Sequence, residues 1–208
     1  LDKYYFDASV RNDACSRFGA NNRNATFWAV GGMWKIKGED FLYAVDAVND
    51  LNFKVSYGTQ GNASIGNYQH LGLVSTASKY MDTGAKVLSQ PSNPGLTWEQ
   101  QALLTVGING RFFNMLDVNI EFYNRTTTDM LMDVPYNYTT GFSSLKANVG
   151  SLSNRGVDIT LGVDILRGRD YWLRASTTFN YNDEKVTGLF NGLDRWEMTG
   201  YGLAYVVG

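Results

Sequence analysis

The chain has 208 residues, with 18 Lys+Arg against 20 Asp+Glu and one cysteine. That near-neutral balance, without any basic run, gives no reason to expect nucleic acid, and a lone Cys15 excludes an internal disulfide framework. A mean hydropathy of -0.26 looks soluble but does not exclude a membrane β-barrel, which hides its apolar surface in alternation; no apolar run approaches the roughly 18 residues of a membrane helix.

In chain order, a first strand is expected from about Lys3 to Asp13, with Tyr4, Phe6, Ala8 and Val10 on one face and Tyr5, Asp7, Ser9 and Arg11 on the other. Side chains on a strand alternate between faces with period two, so this is one apolar and one polar surface. A polar, Asn-rich connection leads to a second strand over Thr26 to Lys37, with Trp28, Val30, Trp34 and Ile36 in phase. Its other face is less clean, since Phe27 and Ala29 sit beside Met33 and Lys35. GEDFLYAVDAVND reads as a helical turn or an irregular connection. The third strand sets Leu51, Phe53, Val55 and Tyr57 against Asn52, Lys54, Ser56 and Gly58.

From Thr59 to Glu99 regularity stops. A fourth strand follows (Ala102, Leu104, Val106, Ile108), then after RFFNM a fifth (Leu116, Val118, Ile120, Phe122 against Asp117, Asn119, Glu121, Tyr123). A second long excursion, Thr126 to Arg155, opens into the clearest strand. There Val157, Ile159, Leu161, Val163 and Ile165 alternate with Asp158, Thr160, Gly162 and Asp164. Such a run needs about ten residues, which is long for a soluble strand and about what a tilted strand needs to cross a bilayer. A seventh strand runs from Tyr171 to Tyr181, and an eighth is expected at Tyr201, Leu203, Tyr205 and Val207.

No apolar face contains Asp, Glu, Lys or Arg, and connections alternate long and short. Outer-membrane barrels have this asymmetry, with long extracellular loops and short periplasmic turns. Tyr4, Trp34, Tyr57, Phe112, Phe122, Tyr171 and Tyr181 fall near strand ends, as interfacial girdles require. The expected fold is therefore all-β, an antiparallel transmembrane β-barrel segment of about eight strands. A soluble β-sandwich explains the alternation but neither the strand lengths nor the loop asymmetry. A complete eight-stranded barrel fits less well, because the pattern begins and ends in mid-strand, so both ends are expected to be cut from a longer chain.

The segments YYFDASVRNDACSRFG, TFWAVGGMWKI, LNFKVSYGTQGN, IGNYQHLG, NPGLTWEQ, NIEFYNRTTTDMLMDVP, TTGFSSLKANVGSLSNRGVDITL and FNYNDEKVTGL together resemble the SusC/RagA-like TonB-dependent outer-membrane transporters of Bacteroidetes. They occur in the family's order and cover nearly the whole chain. Departures are small: Cys15 stands where Ser or Gly is more common, and Trp28 and Ala29 where a Pro-Ser pair is common. The resemblance implies a plugged barrel of roughly 22 strands, with residues 1–208 a block of its C-terminal half and with plug, signal peptide and final strands absent. It further implies location in the outer membrane of a Gram-negative bacterium, a SusD-like surface lipoprotein as lid, and TonB contact through the absent N-terminal region. The expected activity is import of oligosaccharides or, in RagA-like members, peptides. A non-transport barrel or adhesin is the alternative.

No catalytic constellation is visible and no enzyme activity or cofactor is expected. His70 is the only histidine and no cluster has metal-ligand spacing. Asn-x-Ser/Thr triplets at Asn24, Asn62, Asn124 and Asn137 are coincidental in a bacterial protein. Tyr68, His70, Tyr80, Trp98, Tyr136 and Tyr138 in the long loops combine stacking faces with polar tips, suited to substrate or to a docked lid; the competing reading packs them loop against loop. Asp7, Arg11, Lys54, Glu121, Asp158 and Arg174 are expected to face the lumen, contacting plug or substrate or pairing along the wall. Gly31, Gly32 and Gly58 allow bends or close contact in that wall.

Overall fold

The computed structural model describes residues 2–81, 83–198 and 203–208; Tyr201 and the side chains of Tyr80 and Tyr138 lie outside the described residues. The strands are β1 (Tyr4–Ala14), β2 (Asn24–Lys35), β3 (Val48–Asn62), β4 (Leu73–Tyr80), β5 (Thr83–Gln90), β6 (Glu99–Phe112) and β7 (Leu116–Thr128). They continue with β8 (Leu131–Pro135), β9 (Ser144–Asn148), β10 (Ser151–Arg167), β11 (Trp172–Gly188), β12 (Arg195–Met198) and β13 (Leu203–Val206). One seven-stranded sheet, in the order β1-β2-β3-β6-β7-β10-β11, carries the architecture. Every neighbouring pair in it is antiparallel.

Register keeps the apolar residues in line across the whole sheet. One row runs Tyr4, Trp34, Phe53, Ile108, Ile120, Ile159, Phe179, and the next runs Phe6, Gly32, Val55, Val106, Phe122, Val157, Tyr181. A slip of one residue in any strand would throw its apolar set to the opposite side. This face is not covered by other parts of the chain: Phe6 is 78% exposed, Val10 77% and Phe179 60%. The buried residues lie elsewhere, so the sheet has no core on its apolar side. From Tyr4 to Val10 the band spans about 20 Å along the strand, comparable with the apolar belt of about 25 Å on a membrane barrel.

Aromatics mark the two margins of that band. At the lower margin Tyr4 and Trp34 stack at 6.4 Å, and both give their polar tips to Glu39, Tyr4 Oη at 2.6 Å and Trp34 Nε1 at 3.1 Å. At the upper margin Trp28 and Tyr57 pack at 5.4 Å. Glu39 precedes the short helix α1 (Asp40–Tyr43), so of the two expected alternatives, helical turn or irregular connection, the segment contains the helical turn. Its carboxylate also accepts from Lys3 Nζ at 3.0 Å. The Tyr4, Lys3 and Trp34 donors together hold the Glu39 carboxyl down at about 2, and the same pairing raises the Lys3 ammonium.

Connections differ by end. The lower ones are 113–115, 168–171 and the 36–47 segment; the upper ones include 15–23, 63–98 and 129–150. Met115 N–H donates to the Phe112 carbonyl at 3.0 Å around two left-handed residues, Phe113 (φ 52) and Asn114 (φ 57). That is the tight hairpin turn whose twist matches the strands. Phe113 adopts a conformation unusual for a bulky residue. Hydrogen bonds from Phe113 N–H to the Ala47 carbonyl (2.8 Å) and from Asn114 N–H to Asn49 Oδ1 (2.6 Å) hold it there.

Two expectations are corrected. The stretches 59–99 and 126–155 are not irregular: β3, β6, β7 and β10 extend into them, and β4-β5 and β8-β9 form separate two-stranded sheets. The eighth expected strand does not extend the wall. Its described part, β13, pairs with β12 in its own sheet and meets β11 only through a Val186–Val207 bridge. Trp196 stacks on the directly opposed Tyr205 at 5.8 Å and receives Phe190 edge-on at 5.2 Å. This cross-strand aromatic pairing favours the local hairpin.

Candidate functional site

The face opposite the apolar band carries the chemistry. Near the lower turns, Arg111, Asp117, Asp164 and Arg174 form a closed ring of alternating charge. Arg111 contacts Asp117 at 3.0 Å and Asp164 at 2.6 Å, while Arg174 contacts the same two carboxylates at 2.9 and 3.5 Å. Arg174 reaches across Gly162 of β10, where a methyl group would sit 2.6 Å from its Nη2. The ring thus ties β6, β7, β10 and β11 together, and with Asp50, Asn109 and Thr160 it borders a depression of about 380 Å³. Above it, Asn52, Asn109 and Asn119 stand in one cross-strand row. Asn52 is 7% exposed, and its Oδ1 has no partner.

A second depression, of about 400 Å³, lies further up the same face against β1, β2, β3, β6 and β7. Asp7, Lys54 and Glu121 line it together with Tyr5, Met33, Ser56 and Thr105. The sequence placed Asp7, Lys54 and Glu121 on one face, and the sheet brings them to one basin. Arg174 belongs to the lower ring instead. Asp158 accepts a close hydrogen bond from Asn180 Nδ2. Arg11 pairs with Asp13 at 3.0 Å and lies 5.9 Å from the centre of the Phe27 ring.

The upper loops form a layer laced by hydrogen bonds. Phe18, Phe27, Ile65, Leu96 and Trp98 make a buried cluster, in which Trp98 packs on Phe18 at 5.4 Å and on Phe27 at 5.8 Å. Phe27 faces this cluster, which explains the unclean face of the second expected strand. Trp98 is 7% exposed and donates its indole N–H to the Arg23 carbonyl at 3.2 Å. It is a packing residue of the loop layer rather than an open stacking face. His70 is half-buried with Nδ1 2.8 Å from the Arg17 carbonyl. Tyr68 (63%) and Tyr136 (42%) stay exposed. The two exposed candidates thus lie on different excursions, Tyr68 on 63–98 and Tyr136 on 129–150.

Sequence reasoning missed Asn148, which joins two excursions. It accepts from Thr97 N–H at 2.8 Å and donates to the carbonyls of Thr97 (2.7 Å) and Asp129 (2.9 Å). It missed Tyr123 as well, whose hydroxyl passes over Gly156 to donate to Asn182 Oδ1 at 3.0 Å. A large polar residue opposite a glycine two strands from its acceptor is the signal that could have found it. Among the described residues no group of three or more His, Cys, Asp or Glu side chains is placed to hold a metal ion.

Residues 1–207 match the family model described as TonB dependent receptor-like, beta-barrel. The chain is 34% identical over 200 residues to TonB-dependent receptor P39 of Formosa agariphila, covering 96% of this chain and 19% of that protein. It is 30% identical over 204 residues to TonB-dependent receptor SusC of Bacteroides thetaiotaomicron, covering 93% and 20%. Among solved structures, the RagAB peptide importer in its closed-closed state superposes with a TM-score of 0.93 at 43% identity, covering 100% of this chain and 23% of that one. The open-open state gives 0.91. The chain thus spans about a fifth of the length of these proteins. With its antiparallel wall, uncovered apolar band and charged opposite face, it belongs to the TonB-dependent receptor β-barrel family of the outer membrane, in the SusC and RagA branch.

Proposed function

We propose that this chain is part of the wall of an outer-membrane importer. Its apolar rows face lipid, its charged face lines the lumen, and its laced loops form the outer mouth. The observation that carries this reading is the unbroken apolar register over seven strands, left uncovered by the rest of the chain. An exposed apolar surface of that extent marks contact with something apolar. Closure of such a sheet into a barrel removes the unpaired edges that lipid cannot tolerate. Import would proceed with a SusD-like surface lipoprotein as lid, with energy supplied through TonB and no covalent chemistry on the wall.

An oligosaccharide was the first expectation from the sequence. The 43% identity to the RagAB peptide importer, against 30% to SusC, favours a peptide cargo. Isolation from native outer membranes tests the importer reading. A polypeptide about five times the 23.2 kDa of this chain, purifying with a lipoprotein, supports it. A self-contained species near 23.2 kDa, extracted without detergent, would overturn it.

A further inference from the structure

The upper margin of the apolar band is not level with the cross-strand rows. On β1 and β2 the band reaches Val10 and Trp28, which are directly opposed. On β7, β10 and β11 it ends lower, at Phe122, Val157 and Tyr181. A margin inclined to the rows is what a strand tilt of about 35–45° produces in a membrane barrel. The row just above Val157 therefore changes character along its length. Val30, Tyr57 and Leu104 are apolar, whereas Asn124, Arg155 and Asp183 are polar.

Arg155 stands about 7 Å along the strand above Val157 and shares its face, which points away from the lumen. Lys185 on β11 opposes Ser153, so it is the diagonal neighbour of Arg155 at about 7–8 Å. Both cations are exposed. Among the described residues neither forms an ion pair or a hydrogen bond, although Asp183 lies directly opposite Arg155. The strands on either side of β10 are present, and a plug inside the barrel does not reach this side. Short polar groups stand around and above the two cations: Asn124, Thr126 and Ser153, then Thr187, whose hydroxyl donates to Ser151 Oγ at 2.8 Å.

We infer that this patch binds the phosphorylated glycolipid of the outer leaflet. Acyl chains lie on Phe122, Val157 and Tyr181, a phosphate sits between Arg155 and Lys185, and sugar hydroxyls meet the amide and hydroxyl groups. The occupant is amphiphilic because the cations continue the apolar rows without a gap, at the end of the wall that carries the long loops. A guanidinium fork matches two phosphate oxygens, and basic side chains at a membrane boundary attract anionic head groups. A phospholipid supplies chains and phosphate but no sugar for the polar groups above. The inference rests on the reading of the apolar rows as lipid-facing, and goes beyond it by naming a lipid class and the residues that hold it.

The test uses the whole receptor with its lipoprotein partner in neutral detergent. Bound lipid is counted by native mass spectrometry as lipid A, dephosphorylated lipid A or dioleoyl phosphatidylglycerol is added. Lipid A is expected to bind about tenfold more tightly than its dephosphorylated form, each exposed charge contact being worth a factor of a few. Arg155→Gln combined with Lys185→Gln is expected to abolish that preference. Arg155→Lys combined with Lys185→Arg keeps it within about threefold, which separates loss of charge from loss of fold. A glutamine double variant that binds lipid A as tightly as wild type overturns the assignment of these residues. Phosphatidylglycerol bound as tightly as lipid A overturns the choice of a glycolipid. A receptor that stays dispersed without detergent and takes up none of the three lipids overturns the lipid-facing reading and the patch together.

Discussion

Replacing Leu161 with arginine tests which face of the sheet meets lipid. Leu161 lies in the middle of the apolar run of β10, opposite Val118 on one side and Thr177 on the other, and is 37% exposed. Arginine there would carry its charge to mid-depth of the apolar band, where lipid-facing charge costs about 2–4 kcal/mol. The adjacent Thr160 points to the opposite face, where it lines the lower depression and meets Thr178 Oγ1 at 3.4 Å. Thr160→Arg should change stability by no more than about 0.5 kcal/mol, as for an ordinary solvated position. The contrast is read by urea unfolding of the whole receptor in lipid vesicles. Arginine at Val157, nearer the upper margin, should cost less than at Leu161, because the penalty falls toward the interfaces. Equal costs at 160 and 161, or a Leu161→Arg receptor as stable as wild type, would refute the assignment of faces.

Further outcomes follow from the polar side. Asn148→Ala removes three hydrogen bonds, two of them between the excursions, and strands the Thr97 N–H; local opening of 95–98 should become easier by about 1–3 kcal/mol, seen as faster amide exchange there. Asp164→Asn leaves Asp117 as the one carboxylate shared by Arg111 and Arg174 and should cost about 2 kcal/mol, measured by thermal unfolding. Gly156→Ala would drive a methyl into Tyr123 Oη and the Tyr181 carbonyl, so a loss of about 1–3 kcal/mol is expected. Glu39 is held at about 2 against an ordinary 4.5. A depressed folded value means its contribution is full above pH 4.5 and is lost as the pH falls toward 2. Trp34 fluorescence should report loosening of the lower turn across that window, and Glu39→Gln should abolish the pH dependence.

The alternation of Val157 to Ile165 and its counterparts was enough to place the seven wall strands and their faces, because a half-exposed sheet imposes period two on every strand. The hairpin of β4 and β5 was not legible. Its sequence, LVSTASKY and TGAKVLSQ, mixes small polar and apolar residues without clean alternation. The eighth strand was misplaced because periodicity states that a segment is extended, not which strand it pairs with. Trp98 illustrates the same limit: its partners Phe18 and Phe27 are remote in sequence, so the residues alone leave both readings standing, an open stacking face and loop-against-loop packing. Lys54, Asp7 and Glu121 share a basin only because Gly31 and Gly107 lie between them, a relation set by register.

Energised uptake tests the account most directly. Cells carrying the receptor and its surface lipoprotein should accumulate a labelled decapeptide, and that accumulation should vanish when TonB is deleted while surface binding persists. Accumulation that continues undiminished without TonB, or that is the same in cells lacking the receptor, would contradict the reading of this chain as the wall of a TonB-driven importer.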